Sequence, residues 1–100
     1  MEKGLAGVKG KKVIVICRKK MAGTEETCKH AWYRYYAWYG VLEAFPPEYV
    51  SLYKAVYLGY VDNPEEAMQK VREISGKVIE MFERVLINRK IVEEIIQVQG

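Results

Sequence analysis

The sharpest pattern of apolar and polar positions is the run Val13, Ile14, Val15, Ile16 and Cys17, fenced by Lys11 and Lys12 before it and by Arg18, Lys19 and Lys20 after it. A continuous β-branched run bounded in this way reads as a short strand. Its backbone groups need a ladder partner, which is either the tail Ile95 to Gln99 or the same run in a second copy. The lysine fences also protect such a strand from uncontrolled edge pairing.

Downstream, the spacing predicts helices. Thr24 followed by Glu25 and Glu26 offers a hydroxyl cap and acids at the positive end of a helix dipole. That helix runs to about Phe45, where Pro46 disfavours helical geometry, and Pro47 or Glu48 opens a second helix reaching about Tyr60. The strongest start signal follows, with Asn63 as cap, Pro64 at the first helical position and Glu65 and Glu66 in the first turn.

From Pro64 the pattern stays helical to about Val98, with a bend at Ser75 and Gly76. Val71, Ile74, Val78, Met81, Val85, Asn88, Val92 and Ile95 alternate spacings of three and four, a heptad seam in which Asn88 is the single polar d residue. The seam serves a coiled coil between copies, with Asn88 fixing register, or an ordinary amphipathic helix widened by Ile79, Phe82, Leu86, Ile91 and Ile96. Asn88, Arg89 and Lys90 are also placed to end the helix, leaving Ile91 to Gln99 as tail or strand.

The expected fold is therefore mostly α: a three-helix bundle-like domain over residues 13–100, with one short β-strand. Residues 1–12 are read as a flexible basic arm, because Gly4, Gly7 and Gly10 alternate with lysines and have little to bury.

Aromatic residues concentrate in the middle of the chain. Eleven of the twelve lie between Trp32 and Tyr60, and Trp32, Tyr33, Tyr35, Tyr36, Trp38 and Tyr39 fall within eight positions. On a helix they would surround the axis. Tyr35, Trp38, Leu42 and Phe45, with Cys28 and Ala31, make a core stripe, and the opposite side carries Tyr33, Tyr36, Ala37, Gly40 and Ala44. The small residues of that second face admit another helix, so Tyr33, Tyr36, Ala37, Gly40 and Ala44, together with Asn88, are the candidate subunit interface. Eight tyrosines suit half-wet surfaces such as interfaces or base-stacking platforms, and Lys29, His30 and Arg34 interleave with them.

Charge sharpens the picture. The net charge of +3 conceals an arm: Lys3, Lys9, Lys11, Lys12, Arg18, Lys19 and Lys20 face a single acid, Glu2, within the first twenty residues, while the remainder is mildly acidic. A basic arm points to DNA or RNA, and these seven residues are the candidate nucleic-acid contacts; a solvated, solubilising tail is the plainer reading.

Half the residues are hydrophobic and 29% are charged, which excludes a disordered chain. No apolar run approaches the ~20 residues of a membrane-spanning helix, and the start of the chain lacks the apolar core of a signal peptide, so an intracellular setting away from membranes is expected. A bias toward Glu, Lys, Val and Ile over Asn and Gln resembles that of thermophile proteins.

Catalytic chemistry is not signalled. Cys17 and Cys28 match no redox or zinc spacing; they are read as reduced thiols, with a disulfide as the alternative. His30 is the only histidine and has no nucleophile pattern around it, and Glu65, Glu66, Glu80 and Glu83 sit among cations at ion-pair spacing. No cofactor or metal is expected. The sequence thus suggests a non-enzymatic homo-oligomeric structural protein whose basic arm contacts nucleic acid. The alternative is an interaction subunit that docks through tyrosine-rich faces without a nucleic-acid role.

Overall fold

The β-branched run does form a strand, and it is the centre of a sheet. In the computed structural model, residues 7–21, 32–44, 46–74, 76–77 and 79–98 are described. They form strands β1 (Lys12–Met21), β2 (Trp32–Ala44) and β3 (Tyr49–Val61), helix α1 (Pro64–Ile74), then β4 (Phe82–Asn88), a 3-10 turn (Arg89–Ile91) and β5 (Val92–Gln97). All neighbouring strands are antiparallel and the order across the sheet is β4-β3-β2-β1-β5.

The expected three-helix bundle is overturned: this is a mostly antiparallel β protein with one α-helix among the described residues. Of the first expected helix, positions 32–44 are β2 and 24–31 lie outside the described residues. The second expected helix is β3, and the third ends at Ile74 rather than continuing to Val98. The heptad seam is consequently divided, with Val71 and Ile74 on α1, Val85 and Asn88 on β4, and Val92 and Ile95 on β5. Aromatic and β-branched side chains favour extended backbone, and here that preference wins because both faces of the sheet are covered.

β4 and β5 lie at opposite edges of the sheet, yet only three residues separate them. The sheet must therefore curl until its edges approach, and the 3-10 turn touches both β1 and β3. Asn88 starts that turn by accepting a hydrogen bond from the Lys90 amide at 2.8 Å, and the Arg89 amide donates to Glu48 O at 3.1 Å. Three register shifts between β2 and β3 supply curvature, since each extra residue bends and twists its strand.

The curl creates two cores. Inside it, Val13, Val15, Cys17, Leu42, Val50, Leu52, Ala55 and Ile87 are buried together. On the outer face, Ile14, Ile16, Ala37, Val56, Leu58 and Val61 are buried with Ala67, while Met68, Val71 and Ile74 of α1 pack against them. Successive β1 residues point into different cores, and so the run has no polar alternation. β1 pairs with β5 from Val13 to Cys17, making the tail one of its two ladder partners. The signal at Asn63 and Pro64 is realised: Asn63 Oδ1 accepts from the Glu66 amide at 2.8 Å, and α1 begins at Pro64.

At the start of the described chain, Gly7 to Gly10 form a turn whose Val8 packs against the inner core. Gly10 N donates to Leu42 O at 2.7 Å, and Leu42 N to Lys11 O at 3.0 Å. Across β2, β3 and β4, Arg84 pairs with Glu43 at 2.7 Å and Ser51 donates to the same carboxylate at 2.9 Å.

Candidate nucleic-acid groove

β1 outlasts its partner on one side. β5 accompanies it only as far as Cys17, so Arg18, Lys19, Lys20 and Met21 have β2 alone as ladder partner. The 3-10 turn leads away from this point. The result is a groove of about 430 Å³ lined by Arg18, Lys19, Lys20, Tyr36, Tyr57, Tyr60 and Ile91.

Strand register explains why the three tyrosines converge. Tyr60 lies opposite Tyr36 and Tyr57 opposite Trp38, although residues three apart on a regular strand face opposite ways. Leu58 is the extra residue, inserted beside Gly59, whose φ of +87° is ready for glycine and strained for other residues. The bulge thus turns Tyr57 and Tyr60 to the same concave face. Tyr57 packs on Trp38 at 5.0 Å and on Tyr36 at 6.1 Å between ring centroids, and Phe82 extends the cluster at 5.6 Å from Trp38. Tyr57 keeps 47% of its surface exposed, so the cluster is accessible.

Cations frame the rings. Lys19 is paired with Arg34 across the β1–β2 ladder, and the Arg34 guanidinium lies 3.7 Å from the centre of the Tyr60 ring. Arg18 is held by Glu93 at 3.6 Å, reaches the Lys90 carbonyl at 3.5 Å and lies 5.4 Å from the centre of the Tyr33 ring. Glu93 is the bulged residue of β5, skipped where Ile16 pairs with Glu94 and Cys17 with Val92. Among the described residues neither Lys19 nor Lys20 belongs to an ion pair, and no carboxylate lines the groove.

The groove's inner wall is neutral. Burial pushes the Cys17 thiol up to about 12, against a smaller opposing effect of its hydrogen bond with Tyr36. The Tyr36 phenol is raised too, first by burial and then by Cys17. At neutral pH the pair is a protonated thiol beside a protonated phenol, which gives no thiolate for nucleophilic chemistry. Among the described residues, no group of three or more His, Cys, Asp and Glu side chains gathers in a way that would hold a metal ion, and no helix is long and apolar enough to cross a membrane.

The basic residues singled out in the sequence separate into two places. Arg18, Lys19 and Lys20 meet at the groove, whereas Lys9, Lys11 and Lys12 are exposed around the turn that enters β1. Lys3 lies outside the described residues, as do Cys28, Lys29 and His30.

The proposed interface residues do not share one surface. Tyr36 faces the groove, Ala37 is buried beneath α1, Gly40 is packed against β3, Tyr33 is exposed, Ala44 is paired with Ser51, and Asn88 starts the 3-10 turn. Their grouping depended on helical periodicity, which a strand does not have. Sequence reasoning grouped neither Tyr57 and Tyr60 with Tyr36 nor Arg34 with Tyr60; Gly59 within a tyrosine-rich run was the available sign of a bulge. Comparison with protein-family models, curated proteins and solved structures finds no match to this chain.

Proposed function

We propose that this protein binds nucleic acid in the groove beside β1 and acts by holding it rather than by transforming it. The observation that carries this reading is the lining that Arg18, Lys19 and Lys20 share with three tyrosines, without a carboxylate among its described residues. Cations supply the sequence-independent attraction to phosphates, and aromatic rings supply contact to bases. The lack of an acid among the described lining residues argues against a cage for a cationic ligand, which the same rings would otherwise suit. Lys9, Lys11 and Lys12 form a separate basic surface at the entry to β1.

Fluorescence anisotropy with a labelled mixed-sequence oligonucleotide, titrated with salt, tests the proposal. Binding should weaken steeply as salt rises, and Lys19→Glu with Lys20→Glu should reduce the log-log slope by roughly 0.7–0.9 for each phosphate that is no longer neutralised. Binding unchanged by that double substitution would exclude the groove.

A second reading, assembly of copies, is favoured by Met81, Phe82 and Leu86, which are exposed at and just before the outer strand β4. Light scattering across a concentration series tests it, and a strict monomer at the highest concentration would remove it.

A further inference from the structure

We infer that the groove takes single-stranded nucleic acid, stacking unpaired bases on Tyr57 and on the Arg34–Tyr60 pair with little preference among the bases. The inference rests on the reading that the groove binds nucleic acid. It follows from what a ring-lined concavity is able to contact. In a duplex each base has its faces covered by its neighbours, leaving only edges and phosphates to a protein. Tyrosine rings held inside a groove meet a base face only when the strand is unpaired.

The geometry prepares such faces. Tyr57 is half exposed, but Trp38 and Tyr36 hold its ring at interplanar angles of 56° and 53°. Their tilt means that neither neighbour stacks flat against Tyr57. Arg34, 3.7 Å from the Tyr60 centroid, adds a planar cation to the second ring, and guanidinium planes also accept stacked bases. A volume of about 430 Å³ falls within the roughly 300–1,000 Å³ of small-molecule pockets, enough to take bases swung out from a strand. Lys19 and Lys20 stand at the same groove to neutralise the backbone.

The lack of base preference follows from the lining. Base identity is read mainly by bidentate groups such as Asn, Gln, Asp, Glu or a free Arg fork. None of the first four is present among the described lining residues, Arg18 is engaged by Glu93 and the Lys90 carbonyl, and Arg34 lies over the Tyr60 ring. Stacking tolerates every base because every base has a π-face.

Anisotropy at one fixed salt concentration decides the matter, using DNA and RNA homo-oligomers of equal length, a duplex of matched charge and polyglutamate as competitor. Single strands should bind at least about tenfold more tightly than the duplex, with affinities for different homo-oligomers within about tenfold of one another. Tyr57→Leu should weaken single-strand binding by about 5- to 150-fold, the range of one stacked base, while Tyr57→Phe retains it. Arg34→Lys should weaken it with the salt slope unchanged, because charge is kept and the plane is removed. Circular dichroism of each variant checks that the fold is intact. Duplex binding as tight as single-strand binding, or full affinity in Tyr57→Leu, would overturn stacking. If Lys19→Glu with Lys20→Glu still abolished binding, the nucleic-acid reading would survive that failure. Competition by polyglutamate equal to that of an oligonucleotide would reduce the groove to a general anion site, and no binding to any oligonucleotide would remove both readings.

Discussion

Gly40→Ala separates strand from helix by the sign of its effect. On an exposed helix the substitution would stabilise by roughly 1 kcal/mol. In the curled sheet a Cβ at Gly40 would lie 3.0 Å from the Tyr53 carbonyl oxygen, 3.1 Å from the Ala55 Cα and 3.4 Å from the Leu52 Cβ. The two closest atoms are β3 backbone, held by ladders to β2 on one side and β4 on the other. They have no cheap retreat, so overpacking of roughly 1–3 kcal/mol is expected, offset by about 0.4–1 kcal/mol from a less flexible unfolded chain. A net loss of about 1.5 kcal/mol lowers the Tm of a domain this size by about 6–12 °C. Thermal and urea unfolding followed by circular dichroism measure it. Gly59→Ala is the control: its nearest other atom is Lys70 Nζ at 3.8 Å, and its cost comes from φ of +87°. Asn should therefore recover part of the loss at Gly59 and worsen it at Gly40. An unchanged or raised midpoint in Gly40→Ala would refute the close approach of β2 and β3.

Alkaline pH should destabilise the fold through Cys17: its stabilising contribution is complete below the unfolded value of 9.0 and is lost as pH rises toward the folded value of about 12. Urea midpoints should fall in that window, less so in Cys17→Ala, and in a Cys28→Ser background rapid labelling of Cys17 by a thiol reagent at neutral pH would contradict its burial. Asn63→Ala removes the acceptor for the Glu66 amide and should cost about 1 kcal/mol in urea unfolding, whereas Asn63→Asp should cost little. Equal losses in the two variants would show that the cap does not act through its side-chain oxygen.

The parts of the fold legible in the sequence were those whose signals are local. Val13 to Cys17 needed only β-branching, and Asn63 with Pro64 needed only cap chemistry. β2 and β3 hid their period of two because α1 covers one face and the curled sheet encloses the other, so Tyr35 and Tyr39 are as partnered as Tyr36 and Trp38. With apolar residues on both faces, spacings of three and four arise by chance, and the seam from Val71 to Ile95 is such a case. The basic half of the groove was legible as the fence Arg18, Lys19 and Lys20. Its aromatic half depends on an inserted residue at Leu58 and on the β2–β3 register, which sequence spacing does not encode.

The three-residue link between β4 and β5 also sets a timetable. The ladder on the far side of β1 from β2 is completed only by Val92–Gln97, which pairs with the first of the described strands. During synthesis β1, β2 and β3 can form a meander while the β5 side of β1 stays unsealed. Long-range pairing of this kind is slow and leaves an adhesive edge in the meantime. Lys11, Lys12, Arg18, Lys19 and Lys20 flank that edge, so the charges that frame the groove in the finished protein repel neighbouring nascent chains while it is still being made.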